Sequence, residues 1–274
     1  MTGSPTFRSD LYRGTSSYYD RFRLPYPDEL LDDLCRRAGV TGGGRMLDLA
    51  CGPGTVTFAL CDRFTDVWAV DQEPEAIALA ERKATERGVH NVRWIAGRAE
   101  DVEPDEVFDL VTIGTAFHRL DRRRVADLAR RWLRPGGHLA LLWSATPLGG
   151  TAPWQQRCIE IFTDWLERMD ATKRLPADFE EQMEQLPHKR VLADAGFAVL
   201  DRFEYSGTHD WSAEELIGLI YSTSLLPLAV LGDRAAEFEA DFERRMLEVE
   251  PSGVFREPTS FAYDLARRER EFSL

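Results

Sequence analysis

Positive charge is in short supply in this 274-residue chain, where 34 Lys and Arg face 47 Asp and Glu for a formal charge of −13 and a pI near 4.9. A field of that sign repels polyanions and anionic membranes, which argues against a nucleic-acid or membrane-surface partner. The local basic runs, Arg122 to Arg124 and Arg267 to Arg270, stand among apolar residues and read as solvated faces. Cysteine is scarce too. The four at positions 35, 51, 61 and 158 form no CxxC pair and have no His partner at ligand spacing, so neither a disulfide framework nor a structural zinc is expected. A reducing, cytoplasmic compartment is the simplest expectation, with no metal. There is no run of about 18 apolar residues, and the start of the sequence has no apolar h-region, so neither a membrane span nor a signal peptide is expected. Internal repeats and low-complexity tracts are missing as well.

What remains is a globular composition, 43% hydrophobic and 11% aromatic, arranged in a clear rhythm. Pro27 opens a helix with Leu30, Leu31, Leu34, Cys35 and Ala38 on one face, closed by Gly39. Met46 to Ala50 is an apolar run that ends in Cys51-Gly52-Pro53-Gly54, after which Thr55 can cap a helix. Further strands are expected at Val67 to Val70, Val92 to Ala96, Phe108 to Ile113 and His138 to Trp143. Helices fall between them, one from Glu73-Pro74-Glu75 to Gly88 and one capped by Asp121 and ended by Arg134-Pro135-Gly136-Gly137. Alternating strands and helices predict an α/β fold with a doubly wound, mostly parallel sheet.

The second half reads differently. An amphipathic helix is expected over 153–169, Ser212 to Glu215 forms a capping box with Trp211 and Leu216 as its staple, and Phe238, Phe242 and Met246 mark another buried face. Ala198 to Tyr205 and Thr259 to Leu265 are expected as late strands, which makes seven, with the helical excursions forming a lid. The expected division is a lid segment over 1–26, an α/β core over 27–145, and a helical cap plus the last strands over 146–274. Trp154, Trp165 and Trp211 read as core. An exposed apolar face on the cap helices would allow homo-oligomers.

Ligands of open α/β sheets bind outside the carboxyl ends of the strands, and that is where Asp48, Gly52 and Gly54 fall. Asp71, nineteen residues after Gly52, is placed to accept both hydroxyls of a ribose. A dinucleotide fingerprint would need Gly or Ala where Thr57 stands, a phosphate loop would need a lysine nearby, and Pro53 removes one backbone N–H from any phosphate cradle. Asp48 would repel a pyrophosphate but could face the ammonium of a methionyl group. S-adenosylmethionine therefore fits better than NAD or ATP.

Leu47-Asp48-Leu49-Ala50-Cys51-Gly52-Pro53-Gly54-Thr55 resembles the first motif of class I S-adenosylmethionine-dependent methyltransferases. Val70-Asp71, Gly97 to Asp101, Phe108 to Val111 and Leu133 to Gly137 resemble later motifs in the family's order, and the set is most similar to small-molecule, type 11-like members. The resemblance implies a Rossmann-like methyltransferase fold in which Gly52 and Gly54 pass under the methionine part, Asp71 binds ribose, and Ala99 and Glu100 flank adenine. Tyr18, Asp48, Ala50, Gln72 and Thr115 complete the expected cofactor set. Arg98 departs from the commonest pattern, which has an acidic residue there.

Gly114 to His118 resembles the segment that passes the sulfonium, making Phe117 and His118 the expected catalytic edge, with His118 as a base if the nucleophile arrives protonated. The aromatic stretch Tyr12 to Pro27 resembles a segment folded over the cofactor, with Tyr12, Tyr19 and Phe117 facing the acceptor. The expected reaction is methyl transfer to an N, O or C atom of a small molecule, natural-product or antibiotic tailoring being the setting the resemblance suggests, with S-adenosylhomocysteine as product. Two alternatives stay open: a cyclisation or decarboxylation in the same fold, and a cofactor-sensing protein without turnover.

Overall fold

The short apolar runs of the first half become parallel strands, and a computed structural model describes residues 11–174 and 179–269. The strands are β1 Arg45–Leu49, β2 Asp66–Asp71, β3 Val92–Ala96, β4 Phe108–Gly114, β5 Leu133–Ser144, β6 Phe197–Trp211 and β7 Phe255–Arg268. The helices are α1 Ser16–Phe22, α2 Asp28–Ala38, α3 Thr55–Leu60, α4 Pro74–Arg87, α5 Arg122–Trp132, α6 Pro153–Arg168, α7 Phe179–Gln185, α8 His188–Asp194, α9 Ala213–Tyr221, α10 Leu228–Leu231 and α11 Ala235–Leu247. Residues 1–10 of the expected lid segment, and Arg270, lie outside the described residues.

One seven-stranded sheet results, in the order β3-β2-β1-β4-β5-β7-β6. The first five strands are parallel, and β7 runs antiparallel to both β5 and β6. Period-two alternation decides which side chain goes to which face. Leu47, Leu49, Val111, Ile113, Leu139 and Leu141 meet α5 and α8 on one side, while Met46, Leu110, Ala140 and Leu142 meet α2 and α3 on the other. Burying each such side chain stabilises the fold by roughly 1.5–3 kcal/mol.

Helix ends follow the local chemistry. Gly39 and Gly88 close α2 and α4 at φ 69° and 66°, conformations that cost glycine little. Asp121 caps α5 by accepting from Arg124 N at 3.2 Å, and Ser212 with Glu215 forms the capping box of α9. Thr55 is not the cap of α3; Gly54 holds that position at φ 89°. The Arg134 to Gly137 turn is absorbed into β5. Leu133 pairs with Phe108 and His138 with Leu110, so the residues between them bulge out opposite Asp109 alone. In the basic run at α5, Arg123 and Arg124 are exposed as expected, but Arg122 is buried and donates to Leu186 O at 2.6 Å. Arg268 likewise donates to Leu133 O at 2.6 Å.

The two antiparallel strands outrun the sheet. Ser144, the last residue of β5, pairs with Phe261, whereas β7 starts at Phe255 opposite Trp211. This ribbon carries the chain into a separate apolar cluster built by α6, α9 and α11, where Trp154 packs on Phe255 and Trp165 on Phe238. Buried Glu257 anchors it, accepting from Trp211 Nε1 at 2.7 Å and Gln155 Nε2 at 3.2 Å. Midway along β6 and β7, Asp33 of α2 accepts hydrogen bonds from the hydroxyls of Tyr205 and Tyr263, both at 2.6 Å.

Helix α1 bridges the two halves. Phe22 lies against Gly218 of α9 so closely that a Cβ there would come within 2.3 Å of its ring. Tyr18 packs edge-on against Tyr221. On the other side, Asp20 pairs with Lys83, whose Nζ also reaches Pro53 O at 3.0 Å, and Gly14 N donates to Glu75 at 3.0 Å. Among the described residues no helix is long and apolar enough to cross a membrane.

Candidate functional site

The strand order reverses between β1 and β4, and the loops leaving those strands diverge to open a crevice at their carboxyl ends. A cavity of about 450 Å³ occupies it, a size in the range of small-molecule sites. Tyr12, Tyr19, Asp48, Ala50, Gly52, Asp71, Gln72, Ala99, Glu100 and Thr115 all line this cavity.

Asp71, the last residue of β2, organises the glycine loop. Its Oδ2 accepts from Gly52 N at 2.7 Å and its Oδ1 from Glu73 N at 2.9 Å. Burial raises its pKa, against the pull of these two backbone donors. A carboxylate has about four lone-pair sites, so two acceptor positions remain for a ligand. Gly52 stands at φ 56°, and a Cβ added to it would meet no protein atom within 4 Å. Because the residue lines the cavity, a side chain there would take ligand space.

Asp48 is fully buried at the end of β1, held by the hydroxyls of Thr57 at 2.6 Å and Thr112 at 2.8 Å. Burial pushes its carboxyl up to about 6, outweighing the hydroxyl donors. Its folded pKa thus lies above the unfolded value of about 3.9. The stability it contributes is fully present below pH ~4 and is lost as pH rises through ~6. Asp48→Asn keeps a hydrogen-bonding side chain and removes the ionisation, so we predict that it abolishes a loss of about 2–3 kcal/mol between pH 4 and pH 8. Urea denaturation across that range checks this; an identical pH slope in wild type and variant would contradict it.

Two residues at the strand ends carry backbone strain. Ala50 and Thr115 have φ of 53° and 50°, a region costly to residues with a Cβ. Thr115 is held there by its N–H on Leu142 O at 2.8 Å and by a hydroxyl pair with Tyr26 at 3.1 Å. Glu100 is buried, with its Oε1 accepting from Asp121 N at 2.9 Å and its Oε2 facing Arg98 Nε at 3.4 Å. Arg98, the position that departs from the family's pattern, also lines the cavity.

Four expected site residues lie elsewhere. Tyr18 packs into the cap against Tyr221, and Gly54 is a glycine because a Cβ would strike Phe58 at 2.7 Å and Trp94 at 3.0 Å. Phe117 and His118, the expected catalytic edge, do not line the cavity. Phe117 is fully buried in the core under α5, and His118 stacks on Trp143, which in turn stacks on His188. The 3-10 turn at Phe117–Arg119 follows the strained Thr115 and directs both rings away from the cavity. Burial, reinforced by Arg119 and neighbouring charges, pushes the His118 imidazole down to about 3. It is a poor base at neutral pH. His118→Asn is expected to leave turnover within about threefold of wild type, since general bases are worth about 10²-fold or more; a drop of that larger size in steady-state rate would restore it to the site.

Sequence reasoning left out Leu11, Thr15, Tyr26, Glu73 and Arg119, which also line the cavity. Tyr26 carried a legible signal, as the last aromatic before the proline that opens α2. Among the described lining residues there is no histidine, and the hydroxyls present are those of Tyr12, Thr15, Ser16, Tyr19, Tyr26, Thr55 and Thr115. Burial raises the phenol pKa of Tyr19 and Tyr26, so both remain protonated donors at neutral pH.

Residues 46–137 match a family model described as a methyltransferase domain. An uncharacterised methyltransferase of Mycobacterium bovis is 37% identical over 127 residues, 46% of this chain and 49% of that protein. A demethylmenaquinone methyltransferase of Geobacillus stearothermophilus is 31% identical over 146 residues, 50% of this chain and 62% of the relative. The chain thus spans about half the length of these curated relatives. A solved structure provisionally assigned as a type II methyltransferase from Anaeromyxobacter dehalogenans superposes with a TM-score of 0.61 at 21% identity, covering 91% of this chain and all of that one, a likeness of fold alone. The parallel sheet reversing at β1 and β4, the glycine loop tied to Asp71 and the matched methyltransferase domain together make residues 46–137 similar to the cofactor-binding core of class I S-adenosylmethionine-dependent methyltransferases.

Proposed function

We propose that this chain transfers a methyl group from S-adenosylmethionine to an N, O or C atom of a small molecule. The observation that carries the proposal is the cradle formed by Gly52 and Asp71, where an open backbone approach and a partly used carboxylate face the same cavity. These residues fit the cofactor. Asp71 would take the ribose hydroxyls, the Gly52 backbone would pass under the methionyl part, and Ala99 and Glu100 would flank the adenine. Buried Asp48 would balance the methionyl ammonium.

When bound, the cofactor supplies an electrophilic methyl group on a sulfonium. The chain's own task is then to position an acceptor in line and keep water out, which Tyr12, Thr15 and Tyr19 of the N-terminal segment serve by closing one wall of the cavity. With no histidine among the described lining residues, the acceptor is read as a group that arrives unprotonated, or whose proton leaves to water. Natural-product tailoring is the setting the family resemblance suggests, and the cytoplasm is the compartment that the scarce, unpaired cysteines suggest.

Product mass tests the reading. Purified protein incubated with S-adenosylmethionine and pools of small metabolites is expected to yield S-adenosylhomocysteine and a product heavier by one methylene unit. An isomer or the loss of carbon dioxide would overturn it in favour of a non-methylating reaction. Tight cofactor binding with no turnover on any pool would overturn it in favour of a sensor.

A further inference from the structure

One ammonium joins the glycine loop, the N-terminal wall of the cavity and the helix that lies between them. Lys83 is on α4, and only 12% of its side chain is exposed. Its Nζ donates to Pro53 O at 3.0 Å and pairs with the carboxylate of Asp20. It also stands 4.8 Å from the ring centre of Phe58, the ring that a Cβ on Gly54 would strike at 2.7 Å. Lys83 therefore meets the glycine loop twice, at the Pro53 carbonyl directly and at Gly54 through Phe58.

Both ends of this link reach the cavity. Pro53 lines it together with Cys51 and Gly52, in a turn closed by Gly54 N on Cys51 O at 3.0 Å. Asp20 belongs to α1, whose Ser16 and Tyr19 line it as well. Helix α4 adds further ties. It starts just after Asp71, whose Oδ1 holds Glu73 N at 2.9 Å, and its Glu75 accepts from Gly14 N at 3.0 Å. Glu75 and Lys83 are about 12 Å apart along the helix, so the N-terminal segment is clamped to α4 at two points, one before α1 and one within it.

Burying an ammonium sacrifices its water and is unfavourable unless its charge is used. An apolar side chain would fill the same place on α4 without that penalty. What the ammonium adds is a simultaneous hold on a carboxylate and a carbonyl, since it carries three donors. When two parts of a chain share one such group, fixing the first favours the second, and the coupling is reciprocal.

We propose that Lys83 is a positioning residue that couples cofactor binding at the glycine loop to closure of the N-terminal wall. The inference rests on the methyltransferase reading above and adds the device that completes its site. A cofactor seated on Gly52 fixes the Pro53 carbonyl, the fixed carbonyl orients Lys83, and Lys83 holds Asp20 and α1 against the cavity. Closure raises cofactor affinity by the same factor. The acceptor meets a complete wall only once the cofactor is bound, which makes binding ordered, cofactor first.

The test uses the full chain and S-adenosylhomocysteine. In calorimetry Lys83→Met is expected to bind it roughly tenfold more weakly than wild type, the scale of one hydrogen bond from a charged donor. Asp20→Asn removes the charge at the other end of the link and is expected to weaken binding at least about threefold. Both changes break one link, so the double variant is expected within about twofold of Lys83→Met. Lys83→Arg keeps the charge and is expected to stay within about threefold of wild type.

Closure is read by trypsin, with mass spectrometry following cuts after the exposed Arg13 and Arg21. Saturating S-adenosylhomocysteine is expected to slow these cuts at least about tenfold in wild type and less than about threefold in Lys83→Met, as local opening sets such rates. A merely structural role would lower the melting temperature of Lys83→Met and leave its cofactor affinity and the protection of these sites as in wild type, which would overturn the proposal. Independent, multiplying losses in the double variant would overturn it too. Should Lys83→Met not fold, Asp20→Asn carries the test, and unchanged affinity and protection there would overturn the coupling by itself. Variants that bind like wild type would leave the cofactor reading intact, whereas failure of S-adenosylhomocysteine to bind wild type would overturn both.

Discussion

A chain lacking residues 1–24 is expected to keep its sheet and lose turnover by at least about 10²-fold, the scale of a misplaced reacting pair. Among the described residues no strand or sheet-covering helix begins before Asp28, so the core loses little. The cavity loses a wall, because Leu11, Tyr12, Thr15, Ser16 and Tyr19 all come from this segment. Water then reaches groups that are shielded in the full chain, and the acceptor loses its positioning contacts. Some stability is lost as well, since Phe22 leaves its place against Gly218, a cost of about 3 kcal/mol or more for a buried phenyl ring. Circular dichroism, S-adenosylhomocysteine titration and steady-state rates on the truncated chain check this. A folded product with cofactor affinity and turnover within twofold of the full chain would contradict the role given to this segment.

Asp33→Ala is expected to lower stability by about 3–5 kcal/mol, far from the cavity. Burial alone would raise the pKa of this carboxylate, but hydrogen bonds from Tyr205, Tyr263, Arg37 and Arg36 together hold it well below the usual range. Hydrogen bonds to a charged group contribute about 1.5–3 kcal/mol each. Truncation would also leave the hydroxyl of fully buried Tyr263 without its acceptor. With its folded pKa depressed, Asp33 contributes stability that is present above the unfolded pKa of about 3.9 and lost as pH falls below it. Wild type should therefore weaken in acid more steeply than Asp33→Ala. Urea denaturation at pH 7 and pH 3.5 measures both effects; a variant within 1 kcal/mol of wild type at pH 7 would contradict the assignment.

Local signals made the first half of the fold legible. The strands from Met46 to Trp143 announce themselves as apolar runs bounded by Gly, Pro and Asp, and the strand-end residues Asp48, Gly52 and Asp71 follow from the rule that places ligands outside parallel strands. What escaped depended on direction or distance. Thr115 adopts a left-handed conformation that threonine rarely takes, and the turn it starts swings Phe117 and His118 into the core and the Trp143 stack. Nothing local forecasts that swing. Asp33 meets Tyr205 and Tyr263 across 172 and 230 residues, and Arg119 meets Ser224 across 105. Arg122 was misread because a basic run looks solvated until a partner carbonyl, here Leu186 O, is brought to it. The extent of β6 and β7 escaped for a similar reason, since beyond the end of β5 they pair only with each other and pack on cap residues.

The central claim is that the cavity at the ends of β1, β2 and β4 binds an adenosyl cofactor through Asp71, and calorimetry tests it most directly. S-adenosylmethionine, S-adenosylhomocysteine and NAD are titrated into wild type and Asp71→Ala. Wild type is expected to bind both adenosyl ligands and not NAD, and the variant to lose about 100-fold in affinity, the equivalent of two hydrogen bonds to a charged group. Binding of NAD, binding of none of the three, or an Asp71→Ala variant with unchanged affinity would contradict the account.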